Sequence, residues 1–503
     1  MLPLIPQKIT FVVIFYLTGV FVLDNIEYDM IGSTSRQSFL FYVPLAQQAA
    51  LLKDDLLDPI DELLDDPGLV DLVRQRLAGR CSRSTRTGRP GIAPDRLLRC
   101  CVAKHLKGWS FRELEREVRS NLVYRRFTRF DGDPTPDFTT FSRTFALLGP
   151  EVTQQIHQRV VAMARQKHVA PGRKLRTDTT VIETHVHYPT DSTLLGDGIR
   201  VLTRSLKRMA RECRPGAVSV VDHARSVKRR LLEISRAAKS LTQANHERLR
   251  NSYGKLLGLT RGVVRQATAV LEDLQQGRLP VVGNLISVLT QESQLRQFVP
   301  LVQKVIAQTQ ERVFEGNRHV AGKVLSLFEP HTQAIRKGKA HKPTEFGRLV
   351  RIDEVESGIV SQYEVLEGNP ADTNSWDPAL AQHKTHFGRP PEMATGDRGY
   401  FSAKNEQDAK ARGVQKVALP ARGRLSKARA RLQRERWFQR ALRWRAGIEA
   451  TISTLKHPFS MARATYKGEQ GFERYVGWSV ITKNLVSIAR TLVGRKAHVR
   501  EAD

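Results

Sequence analysis

The chain has 503 residues, with 81 Lys and Arg against 51 Asp and Glu, a formal net charge of +30 and an isoelectric point near 10.4. That balance argues against an ordinary metabolic enzyme and for a polyanionic partner, most simply nucleic acid, although basic ribosome-associated proteins share it. The length allows more than one core, and the four cysteines (Cys81, Cys100, Cys101, Cys213) contain no C-x-x-C pair, which argues against structural zinc and a disulfide framework.

Residues 9–23 are strongly apolar behind Lys8. A spanning helix needs about 20 such residues, and no small-residue cleavage site follows. Residues 1–35 therefore read as an extension from an upstream start codon, with a membrane anchor as the alternative; no stable membrane association is expected. Residues 36–80 read as helical through the apolar steps at Leu56, Ile60, Leu63 and Leu64, and Cys81 to Pro90 as a basic linker. Helices are predicted from Pro94 to Lys104, from Ser110 to Ser120 and from Thr139 to Leu148. Gly108-Trp109 makes the first turn, and Ser110 with Glu113 makes a capping box. Residues 36–150 thus form an all-α N-terminal domain carrying Arg112, Arg116, Arg119, Arg125, Arg126 and Arg129. It reads equally as a helix-turn-helix-like DNA reader or as a dimerisation bundle.

The β-branched run from Lys174 to Glu183 predicts a strand holding Asp178. Thr184-His185-Val186-His187 reads as a polar strand edge or DNA contact in preference to a metal pair. Residues 197–340 are helix-forming throughout, with apolar steps over Val218 to Ala244, His246 to Gln276 and Asn284 to Phe314. We expect an inserted helical hairpin or bundle. Its dense cations (Arg204, Lys207, Arg208, Arg211, Lys228 to Arg230) suit a DNA-end clamp or dimer arm, or simply a solvated face. Strands follow at Phe346 to Val355 and Ile359 to Leu366, joined through Ser357-Gly358. A short strand, Met393-Ala394-Thr395, ends just before Asp397. Ser402 caps a helix from Ala403, and Val414 to Leu419 is a last strand stopped by Pro420. A basic run from Arg422 to Arg440 leads into the final motif and makes a phosphate track.

That motif is Arg445-Ala446-Gly447-Ile448-Glu449, with Lys456 seven residues beyond the glutamate. On a helix these offsets put Arg445, Glu449 and Lys456 on one stripe, beside an apolar stripe of Ile448, Ile452 and Leu455. Pro458 ends the helix soon after Lys456. Taken alone, the spacing describes a surface ion-pair ladder. Together with Asp178 and Asp397 it gives two strand-borne aspartates and a helix-borne glutamate, an oxygen-only set that selects Mg²⁺ or Mn²⁺ over zinc.

The order Asp178, Asp397, Glu449, with Arg445 and Lys456 about the glutamate, resembles the DDE transposases of bacterial insertion sequences, in the group with a tyrosine–arginine–glutamate–lysine signature. The tyrosine position is Leu442 here, with Trp444 nearby. Gly88-Arg89-Pro90, Leu106 to Glu115, Pro136 to Arg143 and Tyr363 to Asp372 are also similar to segments of that family. The resemblance implies an α/β fold: a ribonuclease H-like mixed five-stranded sheet over residues 170–196 and 341–490, interrupted by the insertion. It implies two divalent ions (Mg²⁺, with Mn²⁺ substituting) held by Asp178, Asp397 and Glu449. It implies hydrolysis at the element end and then strand transfer, with Arg445 and Lys456 gripping phosphates. Arg398, Arg112 and Arg116 are the further expected DNA contacts. The expected partner is double-stranded DNA, both element ends and target, bound by a homodimer or higher assembly in the bacterial cytoplasm at the nucleoid. The alternatives are a divalent-metal nuclease of the same fold, a non-catalytic, transposase-derived DNA-binding protein and an RNA-binding protein, for which the sequence lacks an aromatic-studded RNP-like strand.

Overall fold

The computed structural model describes residues 52–79, 91–240, 242–317, 319–336 and 343–502. The apolar run at 9–23 and the linker with Cys81 lie outside the described residues. No helix among those described is long and apolar enough to cross a membrane.

Among the described residues seven helices come first: α1 (Leu57–Leu64), α2 (Pro67–Ala78), α3 (Pro94–Lys107), α4 (Phe111–Ser120), α5 (Leu122–Phe127), α6 (Phe138–Leu147) and α7 (Pro150–Gln166). Local chemistry fixes their starts. Asp66 accepts from Leu69 N–H ahead of α2. Ser110 and Glu113 form the capping box at α4, and the Asp137 carboxylate accepts from Thr139 and Thr140 N–H at α6.

Strand β1 (Lys174–Thr184) opens the sheet and leads into four long helices: α8 (Asp191–Glu212), α9 (Ala224–Ala237), α10 (Gln243–Gln275) and α11 (Leu285–Phe314). These helices have an apolar core of their own, including Leu202, Leu206, Leu256, Val263, Leu295 and Val302. The chain then returns through β2 (Gln333–Ile335), β3 (Glu345–Glu354), β4 (Val360–Val365), α12 (Thr373–Phe387), β5 (Met393–Thr395), α13 (Ala403–Ala411) and β6 (Lys416–Ala418). It closes with α14 (Lys427–Arg434), α15 (Arg436–Lys456), β7 (Arg463–Ala464) and α16 (Glu469–Ala502).

The protein is mixed α/β. The sheet has seven strands in the order β2-β3-β1-β5-β6, with β4 also on β3 and β7 also on β1. β3 runs antiparallel to β1, opposing Asp178 with Ile352; β5 and β6 run parallel to it. The tight link between β3 and β4 bends at Ser357 and Gly358, both at positive φ. Helix α16 packs on α7, α3, α1 and β4. One apolar core therefore runs from Leu57, Leu97 and Phe141 through Trp376 and Ala394 to Trp478. The N-terminal helices and the sheet share it.

The arginines expected to be exposed on the N-terminal helices are mostly engaged within the chain. Arg129 pairs with Asp61 and Asp65, Arg126 with Asp58 at 3.1 Å, and Arg119 with Glu115 at 3.3 Å. Arg125 donates to Asp133 O at 2.7 Å and to Asp131 O. Charge density in the sequence does not tell a free cation from a paired one; here the acids of α1 take up part of it.

Candidate active site

Asp178 is the fifth residue of β1. It lies just past the stretch covered by β5, whose pairing ends at Arg176 with Thr395. On the same edge of β1, β7 pairs only at Glu183 and Thr184. The edge therefore opens beside Asp178, at the carboxyl end of β5, where open α/β sheets gather their chemistry. Asp397 follows β5 by two residues, and its Oδ1 accepts from Gly399 N–H at 2.6 Å. A pocket of about 380 Å³ opens there, lined by Asp397, Arg398, Pro420, Leu442 and Arg445.

Helix α15 brings in the third segment. Ile448 and Leu455 are fully buried and Ile452 is half-buried, so the opposite stripe faces outward. One guanidinium nitrogen of Arg445 lies 3.4 Å from Asp178 Oδ2 and 3.5 Å from Glu449 Oε1. Glu449 is 69% exposed while Asp178 is only 17% exposed, so the arginine links an outer carboxylate to an inner one. Its Nε is buried without a partner among the described residues. Lys456 sits half-buried in the last turn of α15, ahead of the break at His457 and Pro458.

Arg176, two residues before Asp178, fastens α15 to the sheet. Its guanidinium stacks 4.8 Å over Trp444 and donates to the Trp444 carbonyl and to the buried Glu354 carboxylate. Thr451 on α15 donates to the same Glu354 at 3.0 Å. A side chain at position 447 would strike Arg176 Nη1, so Gly447 is what lets the helix approach β1.

Sequence reasoning missed Asp372, at the start of α12. Its Oδ1 accepts from Thr179 Oγ1 at 3.0 Å, one residue from Asp178. A methyl added to Gly399 would run into Asp372 Oδ2 and lie 2.8 Å from Asp397 Oδ1, so the two carboxylates flank one glycine. Tyr400 is buried beneath this group. Burial first, then the charges of Asp178, Asp372 and Asp353, push its phenol well above the usual range and keep it neutral. The only signal in the sequence was that Asp372 closes the segment Tyr363 to Asp372.

The remaining expected contacts are dispersed. Arg398 is exposed at the pocket rim. Arg112 and Arg116 lie on α4 and do not line this pocket. Arg112 stacks 4.6 Å over Phe138, and Arg116 pairs with Glu117 at 2.9 Å. In the basic run, Arg429 is bound to Glu406 at 2.6 Å and stacked on Phe401; Arg422, Arg424, Arg431, Arg434, Arg436 and Arg440 are exposed. His187 lies 3.7 Å from Asp197. Cys100, Cys101 and Cys213 are buried free thiols.

Two family descriptions match separate stretches of the sequence: Transposase domain (DUF772) over residues 46–147, and Transposase DDE domain over residues 326–485. The chain belongs to the DDE transposases of insertion sequences. No curated protein and no solved structure matches it. The DDE match takes in Asp372, Asp397 and α15 but starts only after α11, so β1 and Asp178 lie outside it. A transposase acts on DNA, and its DDE domain cleaves and transfers nucleic-acid strands with divalent metals. The carboxylates at this pocket suit such ions in kind, being oxygen donors only. As they stand, with Arg445 between Asp178 and Glu449, no three His, Cys, Asp or Glu side chains among the described residues converge closely enough to hold one.

Proposed function

We propose that this transposase binds the terminal inverted repeats of its element and carries out strand cleavage and strand transfer at the pocket between β1, β5 and α15. The observation that carries the reading is the Arg445 guanidinium, which touches both Asp178 and Glu449 while lining the pocket of Asp397. Three segments far apart in the chain thereby share one place. The fold we assign to residues 170–196 and 341–490 is ribonuclease H-like. The antiparallel β3–β4 pair beside β1, with β5 and β6 parallel to it, supports that assignment, with β2 and β7 as short additions.

Asp178, Asp397 and Glu449 would hold two Mg²⁺ ions, or Mn²⁺ in their place. When bound, these would activate the attacking oxygen and neutralise the leaving one. The chain's own groups do the positioning. Arg445 leaves its carboxylate partners to grip a phosphate bidentately, with its orphaned Nε as one donor. Lys456 adds a point charge at the end of the same stripe, and Arg398 stands at the rim. Water attacks in line at the element end, and the P–O bond to the 3′-oxygen breaks to free a 3′-hydroxyl. That hydroxyl then attacks a target phosphodiester, so bonds exchange without a covalent protein intermediate.

Residues 36–150 would read or dimerise on DNA through Arg112 and Arg116, and the active species would be a homodimer or higher assembly at the nucleoid. The test uses duplex DNA carrying the inverted repeats that flank the gene. We expect Asp178→Asn, Asp397→Asn and Glu449→Gln each to abolish Mg²⁺-dependent cleavage while leaving duplex affinity within about threefold, or 0.7 kcal/mol. Cleavage by any of the three at the native rate would remove the assignment. Strand transfer from pre-cleaved ends separates a transposase from a nuclease of the same fold.

A further inference from the structure

Helix α8 carries a row of cations along its outer face: Arg200, Arg204, Arg208 and Arg211, at steps of four, four and three. Those steps keep side chains on one stripe, each about 5–6 Å further along the axis. The row forms one wall of a groove of about 640 Å³, and Lys228 of α9 stands on the other wall. Ile199, Val227 and Leu231 line it between them.

The charges in this groove are unequally used. Arg200 is tied to Asp197 at 2.7 Å and Lys207 to Asp222 at 2.5 Å. Arg204, Arg208, Arg211 and Lys228 are exposed and have no ion-pair partner among the described residues. On α9, by contrast, Arg229 and Arg230 both pair with Glu233. Like charges at i, i+4 destabilise a helix by a few tenths of a kcal/mol per pair. An anion running along the row would reverse the sign.

We propose that this groove in the insertion is a second DNA-binding site, one that takes the sugar–phosphate backbone of the element-end duplex away from the cleavage pocket. From Arg200 to Arg211 the row extends about 16 Å, the axial length of about five phosphates of one strand. The cations meet phosphate oxygens, and the apolar residues between them meet deoxyribose. A regularly spaced polyanion satisfies the three arginines of the row that have no carboxylate, Arg204, Arg208 and Arg211. The position is compatible. His187, at the groove's edge, follows Asp178 by nine residues and so lies within about 32 Å of it. That is within one turn of duplex. A DNA end in the pocket has enough length to lie in the groove. No base edge is read here, so the site adds affinity and orientation and not sequence choice.

This inference rests on the transposase reading above. The test is duplex binding by the full-length protein between 50 and 200 mM KCl (about the range over which phosphate contacts are resolved). The triple variant Arg204→Ala, Arg208→Ala, Arg211→Ala should lose about tenfold or more in affinity at 100 mM and flatten the log–log salt slope by about 2–3. The Lys triple variant should keep most of both. In the wild-type protein, duplex should shield Lys228 and Lys207 from amine acetylation, a readout that needs no variant to fold. Unchanged affinity and slope with unshielded lysines would overturn the site. So would shielding by an acidic peptide but not by duplex. If wild-type protein binds through the groove yet cuts no DNA with Mg²⁺, the catalytic reading fails and the groove stands. Normal cutting with an indifferent groove gives the converse.

Discussion

Arg176 joins two tasks in one side chain. It neutralises Glu354 inside the protein, and it holds the backbone of α15 at Trp444, one residue before Arg445. Its planar, forked guanidinium suits both a stacked ring and two acceptors, which an ammonium cannot match. Gly447 completes the contact by its missing side chain. Gly447→Ala should overpack against Arg176 and cost about 1–3 kcal/mol, with cleavage falling further than the melting temperature alone explains, because α15 carries Glu449. Equal cleavage rates for both proteins at matched folded fractions would refute that coupling. Asp372 makes a second residue-scale case. Asp372→Asn keeps an acceptor for Thr179 but removes a charge beside Asp397. We expect about 10–100-fold slower cleavage with unchanged duplex affinity, and a rate within twofold of wild type would exclude a role near the reacting atoms. Asp372 was hidden in the sequence because its value comes from a tertiary approach to β1. No spacing rule links residues 178 and 372.

At the scale of elements, whatever carried a local signal was legible. The capping box at Ser110, the strand before Asp397, the cap at Ser402 and the end of α15 at Lys456 all stand where short-range chemistry put them. Strands β2 and β7, of three and two residues, escaped because alternation needs more length than that to register. The helix-forming interval was read from residue 197, whereas α8 starts at Asp191. Gly196 and Gly198 weaken helix propensity there, yet Gly198 packs tightly against Val302 of α11, so tertiary contact overrides propensity. Element packing also sets an acid limit. His157 of α7 holds Val360 O on β4 at 2.9 Å, and His383 of α12 holds Gly172 O at 3.1 Å. Burial lowers both to about 4. The unfolded imidazole titrates near 6.5, so between about 6.5 and 4 the unfolded chain binds more protons. The stability from both histidines is complete above that window and is lost as the pH falls through it, about 3 kcal/mol apiece. Unfolding by denaturant across that range should show the slope, and His157→Gln, which keeps a donor without titrating there, should flatten it. An identical slope in the variant would assign the acid lability elsewhere.

On the scale of the whole molecule, the two large apolar cores are separate: one within α8 to α11, the other joining the N-terminal helices to the sheet. Separate cores unfold as separate cooperative units when few apolar contacts bridge them. Leu256→Ala, at a fully buried position in the insertion, should cost about 2–5 kcal/mol. It should speed hydrogen exchange in α8 to α11 while leaving α16 and β3 as in the parent protein. Uniform acceleration throughout would mean a single unit. The placement of the insertion has one more outcome, and it concerns synthesis. Strand β1 lies between β3 and β5, with β7 also paired to it, and all three of these partners are encoded after the helical bundle. On the ribosome, at about 5–20 residues per second, β1 emerges roughly 10–30 s before β3 exists to cover it. The bundle is complete by then and Asp178 is still in an unpaired ribbon. The nascent chain thus builds its arm before its blade, and no cutting centre can form until translation is nearly finished.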